Sequence, residues 1–210
     1  MYVDAQFTNN VLGYAPVTTD FERGGCNGRV GSAAQAAVVM KPEYATTYKF
    51  GAKTASAGCR IKANVNIFLI DFKDLQLTAF DANAMFNLLE PSYARISGFE
   101  TDLSAQITRN WEVGMNLGTL DASYTGFSAA SAATFSGKSL KQSPKLQYGL
   151  NTGVRLPVDG GAFQFTPQLK HVGAHYQNLA TSELIKTQAH RLIDTQLAWE
   201  QADGRWSAGV

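Results

Sequence analysis

Apolar and polar residues alternate with a period of two in a series of segments, each about ten residues long. In residues 43–53, for example, Tyr44, Tyr48 and Phe50 lie on one side of an extended chain, whereas Lys49 and Lys53 lie on the other. The same alternation recurs in residues 98–106, 111–117, 146–154, 163–170 and 193–200. Because successive side chains of a strand point to opposite faces, these segments predict strands with one apolar and one polar face.

Three further segments, residues 11–18, 61–73 and 206–210, predict strands, and the first two of these are irregular. Residues 61–73 begin with a clean alternation, but Phe68, Ile70 and Phe72 then break its parity, which predicts a bulge or an aromatic rim. Pro16 and Pro167 fall inside predicted strands, where proline is rare, so we assign both to bulges or strand ends. Residues 11–18 and 206–210 complete a predicted antiparallel up-and-down meander of about nine strands.

The connections between these strands alternate between short and long. Tight turns are predicted at residues 54–60, 107–110, 157–161 and 201–205, and long loops at 19–42, 78–92, 125–144 and 173–189. A meander with its short turns at one end and its long loops at the other is typical of transmembrane β-barrels. The predicted fold is therefore all-β, part of an incomplete transmembrane β-barrel. A soluble β-sandwich binding module, which would mix its loop lengths, is the weaker alternative.

The composition agrees with strands that face lipid. Hydrophobic residues make up 45% of the chain and charged residues 17%, whereas about a quarter of an average protein is charged. No run of 18 or more apolar residues occurs, so any membrane crossing must use strands. The net charge of +1 provides no basic field for nucleic acid.

Residues 1–6 lack the features of a signal peptide, so we expect an export signal upstream and interpret the chain as part of a longer protein.

Nothing in the sequence predicts an enzyme or a metal site. Residues 136–139 mimic the end of a phosphate-binding loop, but Ala132 replaces a glycine that such a loop needs. His171, His175 and His190 could gather a metal, although histidines at a water interface are the simpler interpretation.

The two cysteines are not expected to form a disulfide. Cys26 and Cys59 lie at opposite ends of one predicted strand. A strand of that length would hold them about 30 Å apart, far beyond the reach of a disulfide.

Seven short motifs occur in the order found in the C-terminal barrel of TonB-dependent receptors, and they extend over nearly the whole chain. Residues 21–29 resemble that family's Gly-Gly-Phe-Asn loop entry, with Cys26 in the usual Phe position. Residues 42–43 and 48–53 together are similar to its single P-E…Y-E-x-G-x-K strand motif, with Lys49 in place of the common Glu. The other resemblances are residues 11–15, 71–76 (D-Y-K-D-L-Q in the family), 94–100 (A-R-x-x-G-x-E), 143–145 and 203–207.

This resemblance implies a barrel of about 22 strands around a plug domain, in the outer membrane of a Gram-negative bacterium. Such receptors import scarce nutrients, such as ferric siderophores, with energy delivered by TonB through the plug region. Residues 1–210 would be a partial barrel domain without the plug and the final strand or strands. The resemblance implies no cofactor, although the ligand could be a ferric chelate. A TonB-independent porin or an adhesin-type barrel is the alternative function.

Two sets of residues are candidates for function in such a barrel. Exposed loops on a rigid wall can vary without disturbing it, so we expect ligand capture there. The loop candidates are Arg23, Asn27, Arg29, Tyr93, His175 and Tyr176, and the two arginines would suit an anionic ligand. The polar face would line the lumen and contact the plug or the ligand, or its charges would pair internally. Its charged residues are Lys49, Lys62, Glu100, Asp102, Lys145, Arg155 and Lys170.

Overall fold

A computed structural model describes residues 1–25, 39, 41–56, 58, 60–80, 86–89, 91–127 and 135–210. Most of these residues belong to one antiparallel sheet. Its strands are β1 (Asp4–Thr8), β2 (Val11–Tyr14), β3 (Val17–Glu22), β4 (Glu43–Ser56), β5 (Ile61–Lys73), β8 (Pro91–Thr108), β9 (Trp111–Phe127), β10 (Leu146–Val158), β11 (Gly161–Val172), β14 (His190–Gln201) and β15 (Ser207–Gly209). Two small hairpins complete the strands: β6 (Leu77–Phe80) with β7 (Phe86–Leu89), and β12 (His175–Tyr176) with β13 (Lys186–Thr187).

The sheet is an up-and-down meander, as predicted, because strands adjacent in the chain are also adjacent in the sheet. The strand order is β1-β2-β4-β5-β8-β9-β10-β11-β14-β15, and β3 extends the line of β2 along β4. The sequence prediction missed β1, whose five residues are too few to establish a clear alternation. Within the described part of the chain, no helix is long and apolar enough to cross a membrane.

The two prolines behave differently. Pro16 lies between β2 and β3, and both strands keep the same register on β4, so its prediction as a strand end is confirmed. Pro167 lies inside β11, where the pairs Gln168↔Asn151 and Phe165↔Val154 keep one register on either side of it. The prediction of a bulge or strand end at Pro167 is therefore wrong. The pairing with β14 continues through Pro167, so the missing N–H faces β10.

The predicted bulge in β5 is also wrong. Residues Ile61–Lys73 pair with β4 and with β8 without a shift of register. Phe68, Ile70 and Phe72 therefore lie on the same face as Asn64 and Asn66, near the loop end of the strand. The break in alternation therefore marks a change in the surroundings of this face and not a bulge. The alternative prediction, an aromatic rim, agrees with the position of these residues.

Short turns and long loops lie at opposite ends of the sheet. The strands of the main sheet are joined by short turns at residues 9–10, 57–60, 109–110, 159–160 and 202–206, and by long connections at 23–42, 74–90, 128–145 and 173–189. Gly160 and Gly204 occupy turn positions with φ of 80° and 69°, which favour glycine. We call the two ends the turn end and the loop end.

Cys26 and Cys59 lie outside the described residues, so the absence of a disulfide stays a prediction.

The register defines two faces of the main sheet. One, the polar face, carries six of the charged residues predicted for the lumen, and the alternation extended by one residue before β10 adds the seventh, Lys145. The other, the apolar face, exposes large hydrophobic side chains such as Phe50 (64% exposed), Ile67 (56%) and Ile193 (73%). Soluble proteins rarely expose an apolar surface of this extent, which favours contact with lipid.

Candidate ligand-capture surface at the loop end

Strands β8 and β9 extend beyond their neighbours at the loop end. They contain 18 and 17 residues, whereas β5 and β10 contain 13 each. Because β10 begins opposite Thr119, the rest of β9 has no pairing with β10. Residues 137–140 take that edge instead: the Tyr124 N–H donates to the Lys138 carbonyl (2.9 Å) and the Leu140 N–H to the Ala122 carbonyl (3.1 Å). The wall thus continues into the loops with its backbone hydrogen bonds satisfied.

The polar face becomes apolar along this extension. Ala94 and Tyr124 are each 1% exposed, and they form a buried cluster with Phe127 and Leu179. The rings of Tyr124 and Phe127 lie 5.3 Å apart, within the range of favourable aromatic pairs. Around this cluster pack Phe72, Leu75, Phe135 and Leu140. The principal buried core of the described residues therefore lies at the loop end, beneath two loops.

Residues 135–145 and 173–189 form one unit over this cluster. Lys138 Nζ donates to the Ala180 carbonyl (3.0 Å), and the Gln142 N–H donates to the Tyr176 carbonyl (2.7 Å). A further hydrogen bond joins Gln142 Nε2 to Gln177 Oε1 at 3.3 Å. Since Leu179 of the second loop is buried in the shared cluster, moving either loop would disturb the other.

His175 and Tyr176 lie together in the β12–β13 hairpin, where their polar atoms bond to neighbouring residues. The Tyr176 hydroxyl donates to Glu183 Oε1 (2.7 Å), and Lys186 Nζ lies 4.8 Å from the centre of the Tyr176 ring. His175 Nδ1 lies 3.0 Å from the Gly173 carbonyl, and its Nε2 lies 3.1 Å from Gln177 Nε2. Both residues are half-buried. They are therefore held in fixed positions, with part of each side chain open to a ligand.

The charges of this hairpin stabilise each other. Lys186 Nζ donates to Glu183 at 3.1 and 3.2 Å. The hydrogen bond from Tyr176, together with the one from Lys186, lowers the pKa of the Glu183 carboxyl below its usual value. The same carboxylate, with a smaller contribution from Tyr176, raises the pKa of Lys186. The hairpin thus presents a tyrosine ring beside a mutually neutralised Lys186–Glu183 pair at the loop end.

The other loop candidates lie apart from this hairpin. Arg23 has an exposed side chain at the loop end, and its carbonyl accepts a hydrogen bond from Gln76 Nε2 (3.3 Å). Tyr93 pairs with Lys73 and belongs to the apolar face, so it points away from the lumen side where His175 and Tyr176 lie. Asn27 and Arg29 lie outside the described residues.

The three histidines do not gather. Val172 pairs with His190, which places His190 on the polar face, whereas His171 lies on the apolar face and stacks on Tyr148. Among the residues that the structure describes, no group of three or more His, Cys, Asp or Glu side chains could hold a metal ion.

The polar face also carries a groove that sequence reasoning did not single out. Its volume is 580 Å³, and its polar lining includes Glu112, Asn116, Asn151, Gln168, Lys170 and Asp194. Glycine alternates with long polar residues in both β9 and β10, and the register sets each polar residue opposite a glycine: Glu112↔Gly153, Gly114↔Asn151 and Asn116↔Gly149. Side chains that lie flat over glycines leave room for the groove. The alternation is visible in the sequence, but only the strand register shows that each long polar residue lies opposite a glycine.

A cross-strand ion pair occupies another part of this face. Lys49 Nζ lies 3.4 Å from Glu100 Oε2, across the intervening strand β5, and 5.7 Å from the centre of the Phe68 ring. The two side chains are 34% and 49% exposed, so the pair contributes at most about 1 kcal/mol. This pairing supports the interpretation of these charges as an internally compensated lining.

A comparison with protein families matches residues 5–210 to the model described as "TonB dependent receptor-like, beta-barrel". The chain belongs to the TonB-dependent receptor β-barrel family. The resemblance drawn from the seven motifs is thereby confirmed, and so is the fold class of an incomplete antiparallel barrel. Members of this family are transport receptors and not enzymes, in agreement with the sequence prediction.

Solved structures of TonB-dependent receptors share this fold. The ferric yersiniabactin uptake receptor FyuA from Yersinia pestis has 17% identity and a TM-score of 0.80, with 96% of this chain and 29% of the receptor covered. BauA, the ferric preacinetobactin receptor from Acinetobacter baumannii, has 15% identity and a TM-score of 0.73, with coverages of 95% and 29%. The copper transporter OprC has 17% identity and a TM-score of 0.73, with coverages of 99% and 32%. The chain thus spans about three-tenths of each receptor. A search of curated proteins found no match.

Proposed function

We propose that this TonB-dependent receptor barrel is part of an outer-membrane importer in a Gram-negative bacterium, which takes up a scarce nutrient such as a ferric siderophore with energy from TonB. The family match over residues 5–210 is the observation that carries this proposal. The ligand would be captured at the loop end, and the polar face would line its path. The solved neighbours named for ferric siderophores support this ligand class, and the copper transporter among them leaves other metal cargoes open.

The geometry of the loop end supports capture there. The loop unit of residues 135–145 and 173–189 is anchored on a buried cluster, so it can present side chains without ordering them at each binding event. Tyr176 offers an aromatic ring, and Arg23 offers an exposed cation nearer β3. Cations and aromatic rings suit an anionic chelate with a conjugated or aromatic scaffold.

A TonB-independent porin or adhesin-type barrel is the alternative function, and a growth experiment separates it. A strain lacking the full-length receptor should fail to grow on one iron or vitamin source among several, and the wild-type gene should restore growth. We expect restoration only when TonB is functional. If the receptor gene restores growth equally well without TonB, the nutrient enters by passive diffusion. If deletion of the receptor leaves growth unchanged on every source, the receptor does not take up those nutrients.

A binding experiment tests the arginines of the first long loop. In the full-length receptor, Arg23→Ala combined with Arg29→Ala should weaken binding of the identified anionic ligand about tenfold, because each arginine can supply a charge-assisted hydrogen bond. Arg205→Ala is the matched control, since Arg205 lies at the turn end and pairs with Asp203. An affinity unchanged by the double substitution would remove these arginines from the capture surface.

A further inference from the structure

The apolar face of the main sheet carries charged side chains at one height along its strands. Towards the loop end, the first charged side chains on this face are Asp71 in β5, Arg95 in β8, Asp121 in β9 and Arg191 in β14. In β11 the corresponding position is His171, which pairs directly with Arg191. We call Asp71, Arg95, Asp121, His171 and Arg191 the outer belt.

The height of this belt matches the boundary of a membrane. Ten residues separate Asp71 from Ile61, Asp121 from Trp111, and Arg191 from Gln201, each pair spanning the apolar face from belt to turn end. Ten residues at about 3.3 Å each, in strands tilted by about 40°, rise about 25 Å along the membrane normal. Because the lipid-facing band of outer-membrane barrels is about 25 Å tall, the belt lies at the level of the headgroups.

The belt is divided into a compensated and an uncompensated half. Arg95 Nε donates to Asp71 Oδ1 at 2.7 Å, and Asp121 lies on the next strand of the same face. Around Arg191 and His171, the described apolar face carries no acidic side chain, since Asp194 and Glu200 of β14 lie on the polar face. The guanidinium of Arg191 is therefore a positive charge without an acidic partner on this part of the described face.

The surroundings of Arg191 and His171 suit a phosphate group. Arg191 is exposed and forms no ion pair among the residues that the structure describes. The His171 ring stacks on Tyr148, with 4.7 Å between the ring centres, which fixes its plane. His171 Nδ1 is enclosed and has no hydrogen-bond partner in the described part of the chain, so the ring would donate to an anion outside the sheet through Nε2. An anion here would bind a guanidinium and a ring that can donate a hydrogen bond, directly above an apolar surface that includes Ile193.

We propose that Arg191 and His171 bind a phosphate group on the headgroup of an outer-leaflet lipid, whose acyl chains cover Leu169 and Ile193 below. The proposal rests on the outer-membrane location given under the proposed function. The site faces the bilayer and not the lumen, so it is separate from the capture surface. Its occupant is a phosphorylated lipid because only a lipid presents an anion and hydrocarbon together at this level.

Native mass spectrometry of the full-length receptor in detergent tests this site, with a diphosphorylated lipid A as the probe. Arg191→Gln combined with His171→Gln should weaken lipid binding by at least about tenfold, since the loss of one charge-assisted hydrogen bond alone corresponds to about that factor. Arg155→Gln is the matched control on the polar face and should bind the lipid like the wild type. A neutral glycolipid of the same chain length should show no difference between the variants.

Each outcome has a definite meaning. Equal lipid A affinity in the wild type and the double variant would overturn the proposal, and so would inorganic phosphate that displaces the lipid at equal concentration. Heat-modifiable migration in gels confirms that each variant is folded. Growth on the cognate nutrient is measured in parallel. If the double variant grows and binds lipid A like the wild type, only the lipid site is refuted. If the wild-type gene fails to restore growth, the proposed function is refuted.

Discussion

At the scale of single residues, Gly98 shows how closely neighbouring strands constrain the polar face. A Cβ atom at Gly98 would lie 2.6 Å from the Phe68 ring and against the carbonyl oxygen of Thr119, and a backbone atom cannot move away without shifting β9. Gly118, on the same face, has open space at the corresponding position. We expect Gly98→Ala to destabilise the full-length receptor by about 1–3 kcal/mol through overpacking.

Thermal unfolding, followed by the loss of heat-modifiable migration in gels, measures this difference. Gly118→Ala is the control and should leave the midpoint close to that of the wild type. If both substitutions lower the midpoint equally, the cost comes from the general properties of glycine in strands and not from the contact with Phe68 and Thr119.

At the scale of elements, the β12–β13 hairpin should respond to acid. The pKa of Glu183 is lowered from 4.5 by its hydrogen bonds from Tyr176 and Lys186. A carboxyl whose pKa is lower in the folded state stabilises that state above its unfolded pKa, and the contribution is lost as pH falls through the lowered value. We therefore expect the hairpin to stay ordered from neutral pH to about pH 5 and to lose order below the usual pKa of glutamate.

Hydrogen exchange of residues 175–187 in the full-length receptor, compared between neutral and acid pH, tests this expectation. Glu183→Gln should show weaker protection at neutral pH and little further change in acid. An acid transition that persists in this variant would assign the effect to another carboxyl.

The same scale shows which elements the sequence could predict. Alternation identified β4, β10, β11 and β14 because each has an apolar face opposite a polar one. It underestimated β8 and β9, whose loop-end halves put Ile96, Leu120 and Ala122 on the polar face and Arg95 and Asp121 on the other. In these loop-end halves the polar face packs against the loop unit around the buried cluster, so the pattern reverses although the strand continues.

The candidate site was less predictable than the wall. His175 and Tyr176 were chosen for their residue types and loop position, and they do lie together in one hairpin. Their partners Glu183 and Gln177 were not foreseen, because hydrogen bonds within a long loop depend on a fold that has no sequence period. The buried position of Leu179 likewise depends on the cluster beneath it, to which β9 and both loops contribute.

At the scale of the whole molecule, every functional inference depends on hydrocarbon covering the apolar face. The described residues form one main sheet, and its apolar face leaves Leu150 44% and Leu197 45% exposed. Such a surface needs lipid, detergent or protein to cover it. For residues 1–210 alone, with open sheet edges at β1 and β15, we expect aggregation in water and dispersal in detergent. Size-exclusion chromatography measures this, and a monodisperse species without detergent would contradict a lipid-facing wall.

Spin labels on β14 test the same claim in the intact receptor. In the full-length receptor in lipid vesicles, with Cys26 and Cys59 replaced by serine, labels at Ile193→Cys and Leu197→Cys should collide readily with oxygen. A label at Gln196→Cys should collide readily with a water-soluble nickel chelate, because residue 196 lies on the polar face. Equal accessibility at residues 196 and 197 would mean that the faces do not separate lipid from water. The lumen, the outer belt and the direction of transport would then all lack their basis, since each is defined by that separation.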